Sequence, residues 1–334
     1  MGMLLNAVPI LVWVERRGSA LIQDRLGPNR VGPFGLLQPV ADVVKFIFKE
    51  DPIPPHAHKS LFLLAPIFAL VPAAIAFAAI PFGDTLELGN RTIHLQIADI
   101  HIGILYIVAI GSLGVYGILL AGWASNNKYS IFGALRSTAQ VISYEIAMGT
   151  ALIGVLLVYG TFSLKEIVYL QEHVWGIFLQ PIAFILFFIA SFAECNRLPF
   201  DLPEGEAELV GGFHTEYGSM KFALFFMAEY LHMVTLSAFM VTLFFGGWQL
   251  IPGMLTVADW VGIATYPKSM GLALLKVLAF ILKTSFFALV FVWVRWTVPR
   301  IRYDQLMSLG WKVLIPLGLF NILLTAILLY IGWL

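Results

Sequence analysis

Seven stretches of this chain, at about 60–82, 101–123, 139–160, 176–195, 221–248, 271–296 and 312–333, are each long and apolar enough to cross a bilayer. A crossing takes about 20 mostly apolar residues, because a helix rises ~1.5 Å per residue through ~30 Å of hydrocarbon. That layer offers no water to backbone N–H and C=O groups, so such runs are confined to helices. An eighth run, 1–14, has the same character, but as a helix it would be only about 21 Å long. It lacks the basic start and the small-residue cleavage site of a signal peptide. It reads as a first helix shortened by about a turn or two at its start, as a misplaced start codon would produce. The expected fold is an all-α polytopic membrane protein: eight transmembrane helices plus an interfacial amphipathic helix, in one membrane domain over 1–334.

Charge orients the bundle. The connections after the first, third, fifth and seventh spans carry, with their flanks, fifteen basic residues, and the other three carry only Arg91, Lys165 and Lys268. Such a bias puts the basic connections inside and both termini outside. Other classes are excluded by what is missing. Cys195 is the only cysteine, so this chain alone builds no disulfide, iron–sulfur cluster or thiolate zinc site. There is no phosphate loop, HExxH or EF-hand pattern to hold a metal or nucleotide. The formal net charge is zero, and no basic stripe points to nucleic acid. No repeat of an inverted-repeat transporter is visible.

The largest inside connection is 15–59. Its GPNRVGP core (27–33) combines two prolines without donors and two glycines able to take φ > 0, which fixes a turn. Residues 35–49 then read as an amphipathic helix. Leu36, Leu37, Val40, Val43, Val44, Ile47 and Phe48 share one side, and Asp42, Lys45 and Lys49 oppose them. Such a helix can lie in the membrane interface, with or without a further role.

Charges inside the spans need a reason. Glu145 and Glu229 fall about six and eight residues from the inner end of their spans, ~9–12 Å deep. Burial there disfavours the charged form and suits such a group to proton exchange. His232, three residues after Glu229, shares its face and offers a second proton carrier. The structural alternative is an interhelical hydrogen bond that only packs the bundle. Lys276 and Lys283 share one face of the seventh run. Lys276 is expected to reach outward to the interface, and Lys283, too central for that, to pair with a buried acid.

The inside connection 193–220 is the acidic one. Glu194, Asp201, Glu204, Glu206, Glu208 and Glu216 are six of the twenty acids in the chain, and Arg197 is the only cation up to Ser219. Crowded carboxylates couple their titrations. A divalent-cation site is the competing reading, but no EF-hand-like spacing accompanies the acids. Leu198, Phe200, Leu202, Leu209, Val210 and Phe213 interleave with them. That pattern suggests a segment folded back into protein, an acidic funnel rather than a solvated loop.

ERRGSALIQDRLGPNRVGPFGLLQPVADVVKFIFKED, then RSTAQVISYE (136–145), then AECNRLPFDLPEGEAELVGGFHTEYGSMKFALFFMAEY (193–230), together resemble one family. It is the family of the quinone-chamber membrane subunit, the H subunit, of NADH:quinone oxidoreductase (respiratory complex I). The resemblance covers nearly the whole chain. It implies that Arg16, Gln23, Arg25, Arg30, Asp42 and Phe213 belong to the quinone chamber, with the amphipathic helix at its membrane entrance. It implies a proton path through Glu145, Glu194, Asp201, Glu204, Glu206, Glu208, Glu216 and Glu229, with Lys283 and His232 as possible ion partners.

Further implications concern the assembly. The substrate would be a quinone such as ubiquinone, and this chain would carry no redox cofactor. Iron–sulfur clusters and FMN would sit on hydrophilic partner subunits, and antiporter-like membrane subunits would lie beside it. The location would be a bacterial plasma membrane or an organellar inner membrane. A homologous subunit of a membrane-bound hydrogenase or of a formate- or ferredoxin-linked complex is the nearest alternative, and a stand-alone secondary ion transporter the alternative from another class.

Overall fold

The computed structural model describes residues 2–88, 91–202, 205, 209–250 and 270–333. The apolar runs are helices. In chain order these are α1 (Gly2–Ile22), α2 (Gln38–Phe48), α3 (Lys59–Ala76), α4 (Gly103–Ala124) and α5 (Lys128–Tyr159). Then follow α6 (Leu164–Leu170), α7 (Gly176–Leu179), α8 (Pro181–Glu194), α9 (Ser219–Phe244), α10 (Met270–Thr297), α11 (Tyr303–Leu309) and α12 (Ile315–Ile331). Among the described residues six helical segments are long and apolar enough to cross a membrane: Lys59–Ala79, Gly103–Ala124, Lys128–Tyr159, Ser219–Phe244, Ala273–Thr297 and Tyr303–Ile331.

The other two expected spans differ for local reasons. The 176–195 run is split at Gln180–Pro181 into α7 and the 14-residue α8; proline has no N–H for the helix ladder and starts a helix better than it continues one. α1 has 21 residues, but Glu15, Arg16 and Arg17 sit in its second half. The expected end at residue 14 is therefore passed by more than two turns.

α5 begins at Lys128, well before the expected 139. The Asn127 side chain accepts from the Tyr129 N–H at its start, and Gly160, at φ 65°, closes its end. Its 32 residues make a rod about 48 Å long, with Glu145 near the middle. The chain is also not wholly helical. Thr85–Leu88 (β1) and Arg91–His94 (β2) form an antiparallel hairpin with Leu86 opposite Ile93.

α9 is the central post. From Tyr230 to Phe244 it is buried at every position except His232. Phe184, Phe187, Phe239, Phe244 and Phe287 interlock around it, with ring centroids about 5.4–6.3 Å apart. Between α11 and α12 the backbone widens into a π-helical turn over Gly310–Leu314, just ahead of Pro316. Here the Tyr144 hydroxyl donates to the Leu306 carbonyl at 3.0 Å. Among the described residues the apolar face of α2 is left uncovered: Val40, Val43, Val44, Ile47 and Phe48 are all exposed, as are Leu36 and Leu37 just ahead of it.

Candidate functional site

Glu15 is carried into the interior by the regular turn of α1, where Leu4, Val8, Glu15 and Ser19 form one buried stripe. After Glu194 ends α8, the chain turns through Asn196, at φ 50°, and drives Arg197 inward until it is 1% exposed. Glu15 then accepts hydrogen bonds from Arg197 (2.7 Å), from Arg295 on α10 (2.5 Å) and from the Tyr230 hydroxyl (2.7 Å). Arg197 also pairs with Glu229 and lies over the Tyr230 ring at 4.3 Å. Two guanidiniums thus meet two carboxylates. Burying either sign alone would be far more costly than burying the set.

Beside this cluster lies a cavity of about 80 Å³, room for several waters. Glu194, Asn196, His214, Glu229 and His232 are its main polar lining, and Phe213 and Phe225 are among its apolar walls. His232 Nε2 is 3.1 Å from Glu194 Oε1, while Glu194 Oε2 has no hydrogen-bond partner among the described residues. The room for this pair comes from Gly111 on α4. A Cβ there would lie 3.3 Å from Glu194 Oε1 and 3.5 Å from His232 Cε1. The next residue, Ser112, donates its hydroxyl to Glu145 Oε1. Glu145 is also within electrostatic range of Glu194 and His232. The order in space is therefore Glu15, Arg197 and Glu229, then the cavity, then Glu194 and His232, then Glu145.

The acidic segment meets its charge balance from distant parts of the chain. Asp201 Oδ2 accepts from Arg300 at 3.2 Å, and Oδ1 is buried without a partner among the described residues. Burial pushes the Asp201 carboxyl up to about 6, against the opposing pull of Arg300. Glu216 accepts from Asn127 at 2.6 Å, away from the Glu194 pair. Burial holds the His214 imidazole down at about 4. Phe213 is buried edge-on to Phe225. The turn carrying it packs against Gly133 of α5 so closely that a Cβ there would sit 2.7 Å from Gly212 Cα. Glu204, Glu206 and Glu208 lie outside the described residues.

At the other edge of the site, Arg16 pairs with Asp42, tying α1 to α2. Gln23 accepts from Arg25 Nε at 2.7 Å. Gln23, Arg25 and Arg30 are exposed, among exposed Leu21, Leu26 and Phe34. Gly32 (φ 74°) and Gly35 (φ 75°) hold the turn between them, and a Cβ on Gly35 would strike the Pro28 carbonyl.

The two lysines of α10 belong to the far end of the bundle. Lys276 bonds Asp84 at 2.7 Å, and the Tyr169 hydroxyl also donates to Asp84. Among the described residues Lys283 meets carbonyl groups rather than the expected acid. Its ammonium donates to the carbonyls of Phe245 (2.7 Å), Gly247 (3.3 Å) and Gln249 (2.5 Å), beyond the C-terminus of α9, and rests on the Trp175 face at 4.4 Å. Three carbonyl oxygens can accept the three ammonium hydrogens.

Sequence reading missed Glu15, Gly111, Ser112, Tyr230 and Arg295. Glu15 had a signal, the stripe of 4, 8, 15 and 19 continuing the helical period past residue 14. The others had none, because their roles exist only against other helices: Gly111 against α8 and α9, Ser112 against α5, Tyr230 and Arg295 against α1. Among the described residues no group of three or more His, Cys, Asp or Glu side chains is placed to hold a metal ion.

Residues 1–326 match the family model described as NADH dehydrogenase. The chain is 51% identical to the NADH-quinone oxidoreductase H subunit of Bdellovibrio bacteriovorus, over 99% of this chain and 94% of that one. It is 51% identical to the first of the numbered NADH-quinone oxidoreductase H subunits of Cytophaga hutchinsonii, over 94% of this chain and 89% of the relative. With the second such H subunit of Geobacter sulfurreducens the identity is 49%, over 98% and 92% of the two chains. By a match that runs through almost its whole length, the chain belongs to the NADH dehydrogenase family.

Proposed function

We propose that this chain is the membrane subunit of a proton-translocating NADH-quinone oxidoreductase, forming the quinone chamber and the acidic path that couples quinone reduction to proton pumping. The observation that carries the reading is the run of part-buried acids at one cavity, from Glu229 to Glu194 with His232 and on toward Glu145. Its relatives of similar length are named as the H subunit of that enzyme.

Arg16, Gln23, Arg25, Arg30, Asp42 and Phe213 line the quinone path in this reading, and the open apolar face of α2 is the entrance from the membrane. Asp201, Glu204, Glu206, Glu208 and Glu216 connect that chamber to Glu194, Glu229 and Glu145. Quinol formation takes up two protons, and linked carboxylates respond to such a demand. Electrons come from a hydrophilic partner carrying iron–sulfur clusters and, further back, FMN. Charge change passes sideways from Glu145 to antiporter-like neighbours. α1 and the α7–α8 pair complete eight crossings, with both termini on the outer side of a bacterial plasma or organellar inner membrane.

The test is made on the assembled complex from membranes, carrying Glu206→Gln or Glu145→Gln. Quinone reductase activity and proton pumping are both expected to fall. Normal values of both in both variants would sink the reading, as would recovery of the chain alone as an active ion exchanger.

A further inference from the structure

We propose that Ser112 is a two-position hydroxyl that follows the protonation of Glu145 and passes that change to α4. The proposal rests on the reading of Glu145 as a proton-exchanging group. Ser112 Oγ stands 2.9 Å from the Val108 carbonyl and also within hydrogen-bond reach of Glu145 Oε1. A serine hydroxyl has one hydrogen and two acceptor lone pairs. It serves one of these two oxygens at a time.

The two acceptors are not equivalent. The Val108 carbonyl lies one helical turn before Ser112 and already takes a backbone N–H from the helix ladder, so the serine's bond to it is optional. With Glu145 ionised, the hydrogen goes to the carboxylate, since bonds to charged acceptors are the stronger ones. Once Glu145 has taken a proton, its own O–H donates to Ser112 Oγ, and the serine hydrogen swings to the Val108 carbonyl. The balance is one proton gained by Glu145. Ser112 keeps its own, and no bond between heavy atoms is made or broken.

Position along α4 gives this swing a consequence. Gly111, the adjacent residue, is where α4 makes room for Glu194 and His232. A single turn of α4, from Val108 to Ser112, therefore touches the Glu145 carboxylate on one side and the Glu194–His232 pair on the other. Those two residues are the titratable groups that face Glu145 across the gap. Glu194 still has one oxygen without a partner among the described residues, open to reorganisation as Glu145 changes. Ser112 is thus a positioning residue between two acids that make no direct hydrogen bond to each other among the described residues.

The test uses the assembled complex in proteoliposomes, with infrared difference spectra recorded on quinone reduction. Glu145→Gln identifies the carboxylic carbonyl band of Glu145 as the band that disappears. Ser112→Ala is expected to shift that band and lower pumping per quinone reduced, and Ser112→Thr, which keeps the hydroxyl, is expected to restore both. Ser112→Cys, with a weaker donor of similar size, is expected to fall between them. A band at the wild-type position in Ser112→Ala overturns the proposal. Equal defects in the Ala and Thr variants also overturn it, because packing rather than the hydroxyl would then be responsible. If Glu145→Gln removes no band and pumps normally, the proton-exchange reading of Glu145 itself fails. Lost pumping in Glu145→Gln with an unmoved band in Ser112→Ala refutes the serine's role alone.

Discussion

Glu15 and Glu145 are both held inside the bundle, yet their surroundings have opposite character. Glu15 is gripped by two guanidiniums and a phenol drawn from α9, α10 and the turn after α8. Among the described residues Glu145 has one neutral serine hydroxyl, and beyond it a histidine–glutamate pair with one carboxylate oxygen that lacks a partner there. Proton binding at Glu15 would break ion pairs that tie three segments together. At Glu145 it only reverses the direction of a hydrogen bond. The contrast separates a charge cluster that fixes the helices from a loosely held acid free to change state. Glu229 touches the first and lines the cavity of the second, so it is the natural junction between them.

The largest expected effect comes from breaking the fixed half. Arg197→Ala leaves Glu15 short of one cation and removes the one that pairs with Glu229, a loss of about 3–5 kcal/mol for a buried pair with one partner removed. Lower assembly yield and a clearly lower melting temperature of the purified complex are expected. A melting curve that overlays the wild type would erase the distinction between the two regions. On the other half, Glu194→Gln keeps a hydrogen bond to His232, and its cost should stay near ~1 kcal/mol. Melting checks that value, and a loss as large as that of Arg197→Ala would make this pair a second structural lock.

Smaller still is Gly111→Ala. Helix propensity gains up to about 1 kcal/mol, set against a Cβ 3.3 Å from Glu194 Oε1. Melting should hardly move, while pumping falls because the Glu194–His232 pair is displaced. Unchanged pumping would show that this contact carries no coupling.

Asp201 gives the most pH-specific effect. Its carboxyl rises from 3.8 to about 6, so between those values the folded chain binds this proton more tightly than the unfolded one does. Stability from this group is greatest at low pH and declines as pH rises from about 4 to 6. Asp201→Asn should remove that decline, which melting of wild type and variant across this range would read. A difference between the two that stays constant with pH would contradict the shift.

The sequence's legibility followed the scale of each feature. Spans were readable because twenty apolar residues in a row have few alternatives. Helix ends were less so: the start of α5 depends on an Asn127 cap far from the apolar run, and the α7–α8 break on a single proline. Glu145, Glu194, Glu229 and His232 stood out as polar groups in apolar stretches. The cluster that holds Arg197 beside Glu229 did not, since Glu15 meets Arg295 across 280 positions of chain. For Lys283 the partners among the described residues are backbone carbonyls, which no residue type reveals.

The most direct test of the contrast measures melting and proton pumping on one preparation of the complex carrying Glu145→Gln. Pumping should drop by about tenfold or more, the scale of a lost proton-transfer group, while melting stays at the wild-type value. Normal pumping, or a loss of melting temperature like that of Arg197→Ala, would contradict it.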